Sequence, residues 1–157
     1  MNSIFRLADS FLFLIAIGGA LLVGCESPTD GPPLVPVEGV VTLDGKPLAS
    51  AVVTLIPKGE TRGQASHGRT DATGKFTVTS SDGKRVGATV GSYQVVISKY
   101  VNPDGSDFVG SADVSPMDSG YRELLLPAYS DVQSSRLVAD VPQAGAKLEF
   151  KLLSKLR

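Results

Sequence analysis

The chain reads as an all-β protein, and three observations carry that reading. No helix-length amphipathic pattern occurs for about 100 residues after position 36; short runs with apolar residues at every second place stand there instead. The runs are divided by clusters of Gly, Pro, Asp and Ser, and 17 Gly and 10 Pro among 157 residues make a turn-rich composition. A single Cys allows no internal disulfide, so the fold must rest on burial between sheets. About seven runs in roughly 120 residues match the size of a β-sandwich.

The N-terminus is different in kind. Phe11 to Val23 is an uncharged apolar run. At about 1.5 Å per residue it spans about 20 Å as a helix, short of a hydrocarbon core of about 30 Å. It suits the h-region of a signal peptide better than a membrane span. This segment explains much of the positive mean hydropathy of +0.12. Leu22-Val23-Gly24-Cys25 follows directly. It resembles the lipobox of bacterial lipoproteins, in which the Cys thiol is alkylated by diacylglycerol and the chain is cut before that Cys. The expectation is a signal peptide over 1–24 and lipid on Cys25. Two or three acyl chains, at about 0.8 kcal/mol per buried CH₂, give lasting membrane attachment. Residues 25–36 are rich in Pro, Gly and Ser and read as a tether.

The first β run is Val37 to Leu43, with Val37, Gly39, Val41 and Leu43 on one face. Asp44-Gly45 makes a tight turn, and Lys46-Pro47-Leu48 leads to the second run, Ala51 to Ile56, stopped by Pro57. Residues 58–66 form a polar loop. His67 to Thr70 is a short strand that ends in the turn Asp71-Ala72-Thr73-Gly74. Lys75 to Thr79 alternates, with Phe76 and Val78 inward. Ser81-Asp82-Gly83-Lys84 is a loop. Tyr93 to Ser98 alternates again, with Tyr93, Val95 and Ile97 on one face. Residues 102–130 break the rhythm and predict a long loop, functional or mobile, with Leu124-Leu125-Leu126 docking on the core. Arg136 to Val141 and Lys147 to Leu153 resume the alternation; a basic amphipathic helix over 147–157 competes with the last strand.

The ordered pattern carries a resemblance. The marks are Val37-Glu38-Gly39-Val40-Val41, Asp44-Gly45-Lys46-Pro47-Leu48, Gly68-Arg69-Thr70-Asp71-Ala72-Thr73-Gly74-Lys75-Phe76 and Gly91-Ser92-Tyr93-Gln94-Val95. They resemble the carboxypeptidase regulatory-like domain family, with its transthyretin-like (prealbumin-like) sandwich. The resemblance covers residues 37–98 clearly and implies a seven-stranded Greek-key β-sandwich domain over 37–153. Gly39, Asp44, Gly45, Pro47, Asp71, Gly74, Phe76, Gly91 and Tyr93 are its turn and core positions. Such domains are usually accessory modules and rarely catalytic by themselves. Marks of this kind specify fold and are nearly silent on activity.

The site residues are few. Charge is balanced, with 15 Lys+Arg against 16 Asp+Glu, which does not suit a nucleic-acid partner. His67 is the only histidine; with Ser66 and Asp71 it suggests a Ser-His-Asp set, but no nucleophile elbow supports one. Transthyretin-fold hydrolases acting on 5-hydroxyisourate carry several His and Arg and a C-terminal Tyr-Arg-Gly-Ser. Here Tyr121-Arg122 is followed by Glu123. Asp104, Asp107 and Asp113 offer carboxylates for calcium at no standard spacing. One Cys and one His build no zinc site. Tyr100, Tyr121 and Tyr129 are candidates for a ligand surface. Lys147, Lys151, Lys155 and Arg157 make the C-terminus basic. The expectation is a non-enzymatic, lipid-anchored module outside the cytoplasmic membrane, on its periplasmic face or at the cell surface. It needs no cofactor or metal. Its partners are the membrane, through the anchor, and an envelope protein or glycan. A glycan or small-ligand binding domain is the alternative, and a hydrolase a third reading.

Overall fold

A computed structural model describes residues 31–108 and 120–155. Signal segment 1–24, the lipobox residues Leu22, Val23 and Gly24, and Cys25 lie outside the described residues, as do Asp113 and Arg157. The described chain is all-β, with strands throughout and one helical turn.

The first strand, β1 (Val37–Leu43), sits at the centre of one sheet. Asp44 and Gly45 both take positive φ, 51° and 78°. That is the tight-hairpin conformation which Asp-Gly favours, and it folds β2 (Lys46–Pro47) back onto Thr42 and Leu43. Ahead of β2 on the same edge lies β5 (Lys75–Thr77), antiparallel to Glu38–Val40. On the other edge lies β11 (Ala146–Leu152), which runs parallel to β1 over its whole length.

The second sheet has the order β10 (Leu137–Val141), β7 (Gly91–Ser98), β3 (Val52–Pro57), β4 (Ser66–Arg69), β6 (Thr79–Ser80). All its pairings are antiparallel. Six of the seven runs read in the sequence each overlap one strand, to within two residues at either end. The seventh is divided. The run 75–79, read as a single strand, lies in the first sheet up to Thr77 and in the second from Thr79. Val78 is the crossing point; it is fully buried and its N–H donates to the Val37 carbonyl.

Inward side chains of both sheets form one core cluster. Val37, Val41, Phe76, Phe150 and Leu152 come from the first sheet, and Val53, Leu55, Tyr93, Val95 and Ile97 from the second. Tyr93 brings a polar tip into this core. Its hydroxyl donates to the Thr89 carbonyl and lies 2.6 Å from the Thr89 hydroxyl, so the buried group is satisfied.

Two expectations change. The tether was read as 25–36, yet Val35 pairs with Ala88 and the Pro36 carbonyl accepts from Ala146, so its last residues are bonded into the fold. The segment 102–130 is not uniformly irregular. It contains β9 (Arg122–Glu123), paired with β8 (Tyr100–Val101), and one helical turn, α1 (Pro127–Ser130). Pro127 starts that turn, where its missing N–H costs nothing. The last strand, read over 147–153 in preference to a helix over 147–157, is present as Ala146–Leu152.

Candidate interaction surface

The elements β8 and β9 close the base of the excursion between Lys99 and Leu125. A single carboxylate oxygen, Glu123 Oε1, accepts from the Lys99 and Leu125 amides, each at 2.9 Å. Lys99 Nζ donates to the Ala49 carbonyl at 2.7 Å and pairs with Asp107 Oδ1 at 2.7 Å. The hydrogen bond from Lys99, then one from Ser50, holds the Asp107 carboxyl below its ordinary range. A buried oxygen, Glu123 Oε2, has no hydrogen-bond partner among the described residues.

Above this polar base three aromatic rings meet. Tyr100 and Tyr121 pack edge to face with centroids 5.0 Å apart. Phe108 and Tyr121 stack at 4.5 Å. Tyr121 is therefore the central ring. Such packing satisfies the ring quadrupoles against one another, and it joins the two ends of the excursion, Tyr121 from the returning end against Tyr100 and Phe108 from the outgoing one. Tyr100 is 43% exposed and neighbouring Leu124 is 39% exposed. Burial first, then the charge of Glu123, raises the Tyr100 phenol above its usual value.

The three candidate tyrosines thus separate. Tyr100 and Tyr121 come together, but Tyr129 does not join them. As a surface residue Tyr129 is a correction: α1 turns it inward, it is buried in the core cluster, and its hydroxyl accepts from the Leu153 amide. Phe108 takes the third place in the ring cluster. Nothing singled it out in the sequence, because the pair Phe108-Val109 stands among polar and turn-forming residues and makes no period.

The remaining candidates are placed individually. His67 is exposed on β4 while Ser66 is buried, because neighbours in a strand face opposite ways. Asp71 is spent on its turn, where Oδ1 accepts from the Thr73 amide, the Thr73 hydroxyl and the Lys75 amide. Asp104 likewise caps its own turn through Ser106. Among the described residues no group of three or more His, Cys, Asp or Glu side chains is placed to hold a metal ion. A shallow concavity of about 680 Å³ lies on the first sheet, over Val40, with Glu38, Lys75, Lys147 and Glu149 around it. The pair Lys147–Glu38, at 3.2 Å, crosses it and is exposed, so it adds little to stability.

Comparison of the chain with known proteins finds no matching family model, no matching curated protein and no matching solved structure.

Proposed function

We propose that this protein is a lipid-anchored, non-enzymatic interaction module that works outside the cytoplasmic membrane. Its aromatic patch, exposed Tyr100 with half-buried Phe108 and Tyr121, together with exposed Leu124 after β9, docks an envelope protein. The carrying observation is that cluster: the exposed ring of Tyr100 packs on Tyr121, which stacks on Phe108, both half-buried, on a base held by an ion pair and a shared carboxylate. Aromatic residues on a rigid base are the usual anchors of protein interfaces. The proposed anchor is Cys25, supported by the apolar run and by the spacing Leu22-Val23-Gly24-Cys25. The proposed domain type is the seven-stranded, Greek-key, transthyretin-like sandwich of carboxypeptidase regulatory-like domains. Support comes from the turns at Asp44-Gly45 and Asp71–Gly74, and from the burial of Phe76 and Tyr93.

The same rings favour a second reading, a glycan-binding domain, because aromatic faces stack on sugars. Against it, Phe108 and Tyr121 already stack on each other, leaving edges and Tyr100 more available than open faces. A photo-crosslinking residue at position 100, in intact cells, separates the two. A discrete protein adduct lost in Leu124→Ala supports the module. Absence of any protein adduct, with retention on purified envelope polysaccharide that Tyr100→Ala abolishes, supports the glycan reading. Labelling with a fatty acid tests the anchor separately: label persisting on Cys25→Ser removes it.

A further inference from the structure

Strand β10 is an edge of the five-stranded sheet; only β7 pairs with it among the described residues. Edge strands present unpaired backbone groups, and proteins usually blunt them with charge, Pro or a cover. The other long edge, β11, is blunted: Lys147, Glu149 and Lys151 stand along its solvent face, paired as Lys147–Glu38 and Lys151–Glu149. Sequence Leu137-Val138-Ala139-Asp140-Val141 of β10 has no Lys and no Pro. Its one charge, Asp140, is engaged by the Ser92 hydroxyl at 2.6 Å. Val138 stands on the solvent face, 65% exposed, the most exposed large hydrophobic side chain described.

We propose that β10 pairs with β10 of a second copy of this chain, antiparallel about a two-fold axis at Ala139, joining two five-stranded sheets into one. The register follows from the sequence. With Ala139 opposite Ala139 of the second copy, Leu137 lies opposite Val141, and Val138 opposite Asp140. Leu137, Ala139 and Val141 face the core, so the inner face stays apolar across the junction. On the outer face no like charges stand directly opposite. Arg136, exposed at the start of β10, becomes the diagonal neighbour of Asp140 of the second copy. Diagonal positions are about 7–8 Å apart, within reach of a long side chain, and symmetry makes that ion pair twice. This charge complementarity, with the uncharged edge between, singles out the second copy as occupant. An unrelated extended peptide would supply the backbone bonds but not the two Arg136–Asp140 pairs. The inference stands apart from the proposed anchor and from the aromatic patch.

Light scattering on the full chain in detergent reads the outcome. At about 100 µM, where micromolar contacts are saturated, the mass is that of two chains. Val138→Asp sets a new carboxylate against Asp140 of the second copy and weakens association at least about ten-fold, equivalent to about 1.4 kcal/mol. Arg136→Asp likewise weakens association by setting like charges on the diagonal, and exchanging the two charges, Arg136→Asp with Asp140→Arg, restores the dimer. A single-chain mass for the unaltered protein overturns the proposal. So does a dimer indifferent to Val138→Asp, or a double variant with an unchanged strand spectrum that stays monomeric. Should Val138→Asp fail to fold, Val138→Cys in a Cys25→Ser background decides: a short bis-maleimide yields a covalent dimer, and no covalent dimer overturns the pairing.

Discussion

Gly39 carries more of the fold than its size suggests. A Cβ built on it would stand 2.4 Å from the Leu148 carbonyl oxygen and 2.7 Å from the Phe76 ring. Phe76 lies directly across the β1–β5 pairing from Gly39 and stacks with Phe150 at 6.3 Å. The missing side chain is thus the space the Phe76 ring occupies. Gly39→Ala is expected to cost about 1–3 kcal/mol, the usual penalty of overpacking, read as a lower denaturation midpoint with an unchanged slope. Carboxylates at the turns make a second residue-scale prediction. Asp44, Asp71, Asp82, Asp104, Asp107 and Asp131 are all held below the ordinary value of 3.8, each mainly by hydrogen bonds that favour the charged form. A carboxyl depressed in the folded state stabilises it fully above its ordinary value and loses that contribution as pH falls through the folded one. The melting temperature should therefore be flat from neutral pH to about 5 and fall below about 3.8. Asp71→Asn should start lower and fall less steeply. Parallel curves for the two proteins would remove Asp71 from the account.

At the scale of elements, what the sequence made legible follows the length of each run. Val37–Leu43, Gly91–Ser98 and Ala146–Leu152 alternate long enough for the two-residue period to stand out, and each is a strand. Where a strand changes sheets the same period continues, so the break at Val78 leaves no mark; Phe76 and Val78 both point inward, toward one shared core. Two-residue strands such as β8 and β9 are too short to show any period. Pairing and side-chain anchors make them: Lys99 to Asp107, and Glu123 to two amides. Tyr129 misled for a related reason, because one helical turn after Pro127 redirects a side chain without any periodic signal. The excursion base should accordingly open without the whole domain. Asp107→Ala removes a half-exposed pair worth about 1 kcal/mol or less. It should speed amide exchange at Tyr100 and Leu124 while leaving Val53 and Val95 protected, as expected of local opening. Equal acceleration at all four amides would show the base to be part of the global unit.

For the whole molecule the decisive pairing is β1 with β11. It is parallel, spans both strands completely and joins near-opposite ends of the described chain. Nothing in either strand's own sequence announces it, since parallel partners need no turn and their register is set by the core between them. The closure is fastened at its far end: the Asp44 amide donates to the Leu152 carbonyl, and the Ser154 amide donates to Asp44 Oδ1. Such long-range pairing must wait for loop closure, which slows folding, and the first sheet stays open until the last strand is made. A chain ending at Gly145 tests this. It loses Phe150 and Leu152, both buried. Truncating a buried Phe costs about 3–5 kcal/mol and a buried Leu about 2–5 kcal/mol. Their sum is comparable with the entire stability of a domain, about 5–15 kcal/mol, before the backbone bonds of β1 left unpaired are counted. The shortened chain should show no cooperative thermal transition, whereas Leu152→Ala in the full chain should keep one at lower temperature. A cooperative transition in the shortened chain would mean that the second sheet folds alone and that β11 only decorates it.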